Sequence, residues 1–247
     1  MNYFAHACDF LDDPYFVAGV SIPDWMNVVD RRHKVRGKHA KPWVVANAEC
    51  GMRSAEDSQS EIRKQQSAIA RIAAGVVQHH HDDAWFHETR AFAELSMQFA
   101  AAIRECLPEC DSWRTGFLGH ILVELLLDAE LIARDPARLD AYYASLDHVD
   151  PAIVADAVQR ISGRAAPRLA ELIPKFIEAK FLCDYADDEK LLKRLNQVMT
   201  RVKLATLPPE FSQVLPTARR EVSRRWRELL AQRRRSGTRE EFHYGKV

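Results

Sequence analysis

Nine consecutive residues, HHHDDAWFH at positions 79–87, bring together four histidines and two aspartates. If the preceding helix runs on through them, His79, Asp83 and His87 fall at i, i+4 and i+8 and share one face, with His80 at i, i+3 from Asp83. Neutral imidazole combined with carboxylate suits manganese, iron or zinc better than calcium or magnesium. A solvated histidine run is the plain alternative. A second pattern lies in TGFLGHILVELLLDAELIAR, residues 115–134, where the ionisable residues between Phe117 and Leu131 are His120, Glu124, Asp128 and Glu130. The first three follow one line down an otherwise apolar helix, and burying such groups without partners costs several kcal/mol. The line therefore needs a counterpart, either cationic side chains from another helix or a metal, and it is expected to face an internal cleft. His6 in NYFAHA and Asp24 in the turn SIPDWMN are further candidates, although Asp24 after proline reads equally well as a helix N-cap.

These residues need helices to hold them, and the dominant period is helical. Residues 54–78 place Ile62, Ile69, Ile72, Ala73 and Val76 on one stripe, with Ser54 as N-cap. Residues 89–106 repeat the stripe through Phe92, Leu95, Phe99 and Ile103, and 115–134 is apolar almost all round, as a central buried helix is. Asp150-Pro151 is a cap followed by proline at the first helical position. Helices are also expected over 167–184, 187–203 and about 215–235. The run WVVANA (43–48) is the one weak strand signal, 30–43 reads as an exposed basic loop, and the tail after Arg235 as mobile. The expectation is one all-α, single-domain helical bundle over 1–235 with a tail over 236–247.

The chain has 247 residues, enough for a sizeable core, and 35 basic residues balance 35 acidic ones. That balance argues against a whole-surface footprint for nucleic acid. No stretch approaches the roughly 20 apolar residues of a membrane span, and the start lacks a signal peptide's pattern. Five cysteines without CxxC fit free thiols in a reducing cytoplasm, with no disulfide. The absence of GxGxxG, GxxxxGK[ST] and GxSxG removes dinucleotide, P-loop and α/β-hydrolase readings. Arginines crowd 219–235, either as a solvated helix face or as a surface for phosphates or an acidic protein.

MNYFAHA, the aspartate of SIPDW, HHHDDAWFH, GHILVELLLDAEL and FLCDYADDEKLLKRLNQVMTR occur in an order that resembles the acyl carrier protein phosphodiesterase family. The resemblance implies an HD-domain-like all-helical fold, a divalent cation that is commonly manganese, and hydrolysis of the phosphodiester linking phosphopantetheine to acyl carrier protein. Carried onto this chain, it matches His6, Asp24, His79 and Asp83, puts Glu124 where the family has aspartate, and matches Tyr185 and Arg201 in the late helices. The chain departs from the family at His80, where an arginine is usual, at His87 and His120, where acids stand, and at Leu125, typically histidine. Residues 31–74 look like an insertion. The added imidazoles favour zinc or iron more than in the family.

The resulting expectation is a metal-dependent phosphodiester hydrolase. Asp24, His79, His80, Asp83 and His120 hold the metal; His6, His87 and Glu124 serve catalysis, and Arg201 and Tyr185 bind substrate. Partners are acyl carrier protein or a phosphorylated small molecule. The alternative is a non-catalytic helical protein that binds acyl carrier protein or another acidic partner through its arginine-rich helix.

Overall fold

The computed structural model describes residues 1–45, 57–107, 109 and 112–232. Among them there are helices and turns and no strand. The elements are α1 (Tyr3–Ala7), α2 (Pro14–Val29), α3 (Gly37–Val45), α4 (Asp57–His87), α5 (Arg90–Cys106), α6 (Ser112–Arg134), α7 (Pro136–Asp147), α8 (Pro151–Ser162), α9 (Pro167–Ala179), α10 (Asp188–Arg201) and α11 (Leu215–Leu229). Short 3-10 segments occupy Phe181–Ala186 and Pro209–Val214. No helix is long and apolar enough to cross a membrane.

The chain divides into two compact units. Among the described residues, the first comprises Met1–Ala5, Asp83–Pro136 and 180–232, built on α5, α6, α10 and α11. Here α6 is the central helix, packing on both α5 and α11. Gly119 lets α5 and α6 close in: a Cβ there would stand 2.4 Å from the Ser96 carbonyl oxygen. Leu95, Phe99 and Ile103 of α5 and Leu118 and Leu122 of α6 are buried, as their spacing predicts.

The second unit holds His6–Asp82 and Ala137–Ala179. Its tightest crossing joins α2 and α4, where a Cβ on Gly75 would meet the Phe16 carbonyl oxygen at 2.4 Å and one on Gly19 the Ile72 carbonyl oxygen at 2.3 Å. Trp25, Tyr142, Tyr143 and Phe176 are buried, with the Trp25 and Phe176 rings edge-on at 5.3 Å.

Several local expectations change, and the helix expected over 167–184 ends at Ala179, with a 3-10 segment over Phe181–Ala186. Residues 37–43 are not loop but the body of α3, whose first turn is closed by His39 and Ala40 N–H groups on the Arg36 carbonyl oxygen. Packing against α8 with Ala40 buried outweighs the low helix content of the sequence there. Trp43–Val45 therefore end a helix rather than begin a strand, and 46–48 lie outside the described residues. Asp24 is neither in a turn nor an N-cap: α2 continues through Pro23, and its cap is Asp13, which accepts the Phe16 N–H with Pro14 at N1. Ser54, Cys50, Cys110 and Arg233–Arg235 also lie outside the described residues. Cys8, Cys106 and Cys183 are free thiols.

Candidate functional site

Helix α4 runs unbroken to His87, so the spacing of its histidines and acids is helical throughout. In the second unit His79 is 3% exposed, and its Nδ1 lies 2.8 Å from the Val20 carbonyl oxygen. A carbonyl can only accept, so Nδ1 carries a proton. His6 is fully buried, with Nδ1 3.3 Å from Asp82 Oδ2. Asp82 is itself buried and steadied by Gln78, whose Nε2 donates to Oδ1 at 2.8 Å. The carboxylate fixes His6 in the same tautomer, as carboxylate and carbonyl groups do behind metal-bound histidines. The two rings stack with centroids 4.1 Å apart and planes 26° from parallel. One ligand nitrogen of His6 lies within 4.8 Å of one of His79. His80 turns elsewhere, donating from Nε2 to the Val35 carbonyl oxygen at 2.9 Å. Asp24 is half-buried on α2.

In the first unit the polar line of α6 meets the end of α4. Glu124 Oε1 lies 2.9 Å from His87 Nε2, 3.2 Å from His120 Nε2 and 3.2 Å from the Met1 ammonium nitrogen. Burial by itself would raise the Glu124 carboxyl, but the Met1 ammonium and the two imidazoles hold it well below the usual carboxylate range. The Met1 ammonium also donates to Asp83 Oδ1 at 2.7 Å. Phe92 stands edge-on to His120 at 4.8 Å and fixes that ring against the helix. The side chains of His87 and His120 remain 34% and 40% exposed, against 13% for Glu124, so the cluster opens to solvent on its imidazole side.

Asp128, one turn further along α6, is fully buried and does a different job. It accepts the Phe4 N–H at 3.0 Å on Oδ2 and the Ala5 N–H at 2.7 Å on Oδ1. Those amides belong to the first turn of α1, which has no acceptors of its own. Burial pushes the Asp128 carboxyl up to about 7, against the opposing pull of the two amides. The line His120–Glu124–Asp128 is thus not a single cleft: one end is engaged by backbone and the other is open. Tyr185 is buried with its hydroxyl accepting from Asn2 Nδ2 at 3.1 Å, and Arg201 is exposed at the end of α10.

The structure therefore brings His6 to His79 in one unit, and His87 and His120 to Glu124 in the other. The sequence reading missed Asp82, since at i+3 and i+4 from His79 both Asp82 and Asp83 lie near one helical face, and spacing does not tell which turns inward. It missed the Met1 ammonium as well, because a backbone amine leaves no mark in a side-chain pattern. The described arginines of α11 are largely engaged within their unit: Arg219 with Asp188 at 2.6 Å, Arg225 with Glu94 at 2.8 Å and with Glu228, and Arg224 with Glu221 at 3.3 Å.

The described residues thus include groups of histidines and carboxylates able to hold a metal ion. The donor set fits a borderline transition metal, as imidazole nitrogen with its second nitrogen anchored on oxygen is the usual form of a metal-bound histidine. No family model matches this chain, and no curated protein or solved structure compared with it matches either.

Proposed function

We propose that the chain is a metal-dependent phosphoesterase acting on a phosphodiester, with the phosphopantetheine link of acyl carrier protein as the substrate class that the family resemblance implies. The observation that supports it best is the stacked pair of buried imidazoles, His6 and His79, with a ligand nitrogen of one within 4.8 Å of a ligand nitrogen of the other and Nδ1 of each beside an oxygen. Two stacked imidazoles with ligand nitrogens this close suit a shared cation.

His6 and His79 would hold a divalent ion, which would supply a coordinated water of lowered pKa and a Lewis acid for a phosphoryl oxygen. The chain's own groups do the rest. The Val20 carbonyl and Asp82 hold the ring tautomers, and the burial of His6 and His79 keeps bulk water from competing for the ligand nitrogens. Exposed cationic Arg201 is a candidate to meet a substrate phosphate. The test is elemental analysis of untagged protein joined to a panel of phosphodiester substrates. Metal in the wild type, its loss in His79→Ala, and metal-dependent release of a phosphomonoester from one of the diesters are expected. Metal-free protein that stays inert after incubation with manganese, iron and zinc would favour the non-catalytic reading.

A further inference from the structure

His87, His120 and Glu124 form a second three-residue group outside the pair just described, and all of it belongs to the first unit. One ligand atom from each lies within 4.8 Å of the others. Two imidazoles with one carboxylate is a donor set that zinc uses with a fourth position left to water, and that iron uses with open positions.

The spacing is tighter than that limit requires. Nε2 of His87 stands 2.9 Å and Nε2 of His120 3.2 Å from the same oxygen, Glu124 Oε1. Ligands at about 2.0–2.2 Å from one ion stand roughly 3.0–3.5 Å from each other at octahedral or tetrahedral angles. An ion can therefore enter by replacing the protons between the nitrogens and Oε1, with shifts of a few tenths of an ångström.

The surroundings fit a cation. With neutral imidazoles, the carboxylates of Glu124 and Asp83 outweigh the single Met1 ammonium by one negative charge. That ammonium is held more closely by Asp83 Oδ1, at 2.7 Å, than by Glu124 Oε1, at 3.2 Å, so it keeps a partner when an ion takes Oε1. Three further features resemble a site built for exchange with solvent rather than a closed structural one. The imidazoles are one-third and two-fifths exposed, the described residues supply three protein ligands, and Phe92 braces the His120 ring from its edge.

We propose that His87, His120 and Glu124 bind a zinc-class divalent transition metal, with at least one coordination position left for water or an anionic ligand. The site is separate from that of His6 and His79 and does not depend on it. The experiment uses the full chain, stripped with chelator and titrated with zinc, and with cobalt as a spectroscopic reporter of coordination. His87→Gln and His120→Gln are each expected to bind one equivalent less than the wild type and to lose a low-symmetry cobalt absorption, with melting curves confirming that they fold. His79→Gln is expected to keep that absorption. The proposal is overturned if wild type and both variants bind the same number of equivalents, or if His79→Gln alone loses metal, which would leave the phosphoesterase reading intact. Loss in His87→Gln and His120→Gln but not in His79→Gln would instead support this site and remove the other. If both glutamine variants fail to fold, His79→Gln decides: a bound cobalt equivalent with the low-symmetry absorption supports the site, and none overturns it.

Discussion

Replacing Asp128 by alanine removes both acceptors of the Phe4 and Ala5 amides, two buried N–H groups that α1 cannot satisfy itself. Each orphaned buried donor costs about 1–3 kcal/mol, so Asp128→Ala is expected to lose about 2–6 kcal/mol. For a chain of this size that lowers Tm by roughly 5–20 °C. Asp128→Asn refines the test. The amide keeps one acceptor but sets an N–H against the other backbone amide, and it does not titrate. The folded-state carboxyl, pushed up to about 7 by burial, lies above its ordinary value of 3.8, so the folded protein holds a proton there that the unfolded chain has released. The wild type therefore loses stability from this group as pH rises from about 4 to 7, and Asp128→Asn does not. The stability gap between them should therefore shrink between pH 5 and pH 8, by about 2–3 kcal/mol. Urea unfolding of the three proteins, followed by circular dichroism across that range, measures it. A gap that stays flat with pH, or an alanine variant as stable as wild type, would refute the role assigned to Asp128.

Gly75→Ala should cost about 1–3 kcal/mol or more, because its Cβ would meet Phe16 and Val20 backbone atoms at 2.4 and 2.7 Å. Gly116→Ala, with nothing within 4 Å of the new methyl, should instead stabilise α6 by about 0.5–1 kcal/mol; thermal melts of the pair read both signs. Asp82→Ala frees the His6 ring from its carboxylate and should weaken metal binding about 10–100-fold by competition titration, while Lys38→Ala on the exposed side of α3 leaves it unchanged. Thiol titration should find exposed Cys183 reacting well before buried Cys8 in native protein, and five free groups after denaturation without reductant; fewer than five would contradict the free-thiol reading.

Much of the helical frame was legible because long amphipathic stripes leave little choice of structure. The stripes at Phe92–Ile103 and Leu191–Met199 are buried in α5 and α10 as their period requires. Asp150-Pro151 announced α8, and the same Asp-Pro signal stands at Asp13-Pro14 and Asp135-Pro136, where α2 and α7 begin. Those two helices went unread because Gly19 and Pro23 interrupt the pattern of α2, and α7 carries its apolar residues in no clean stripe. Of the candidate site, the face shared by His79, Asp83 and His87 followed from helical spacing alone. Which nitrogen each ring spends on a backbone or carboxylate oxygen did not. That depends on Val20, Val35 and Asp82 arriving from tertiary packing. The same limit hid the role of Asp128, whose partners are backbone amides more than a hundred residues away.

We propose that buried imidazoles of this chain hold a metal for phosphoester hydrolysis. The most direct measurement is the metal content of untagged wild-type protein and of His79→Ala, each checked for folding and assayed on the same diester after reconstitution. The account predicts bound transition metal and metal-dependent hydrolysis in the wild type, with both diminished in His79→Ala. Equal metal content in the two proteins, or hydrolysis that survives complete removal of metal, would contradict it.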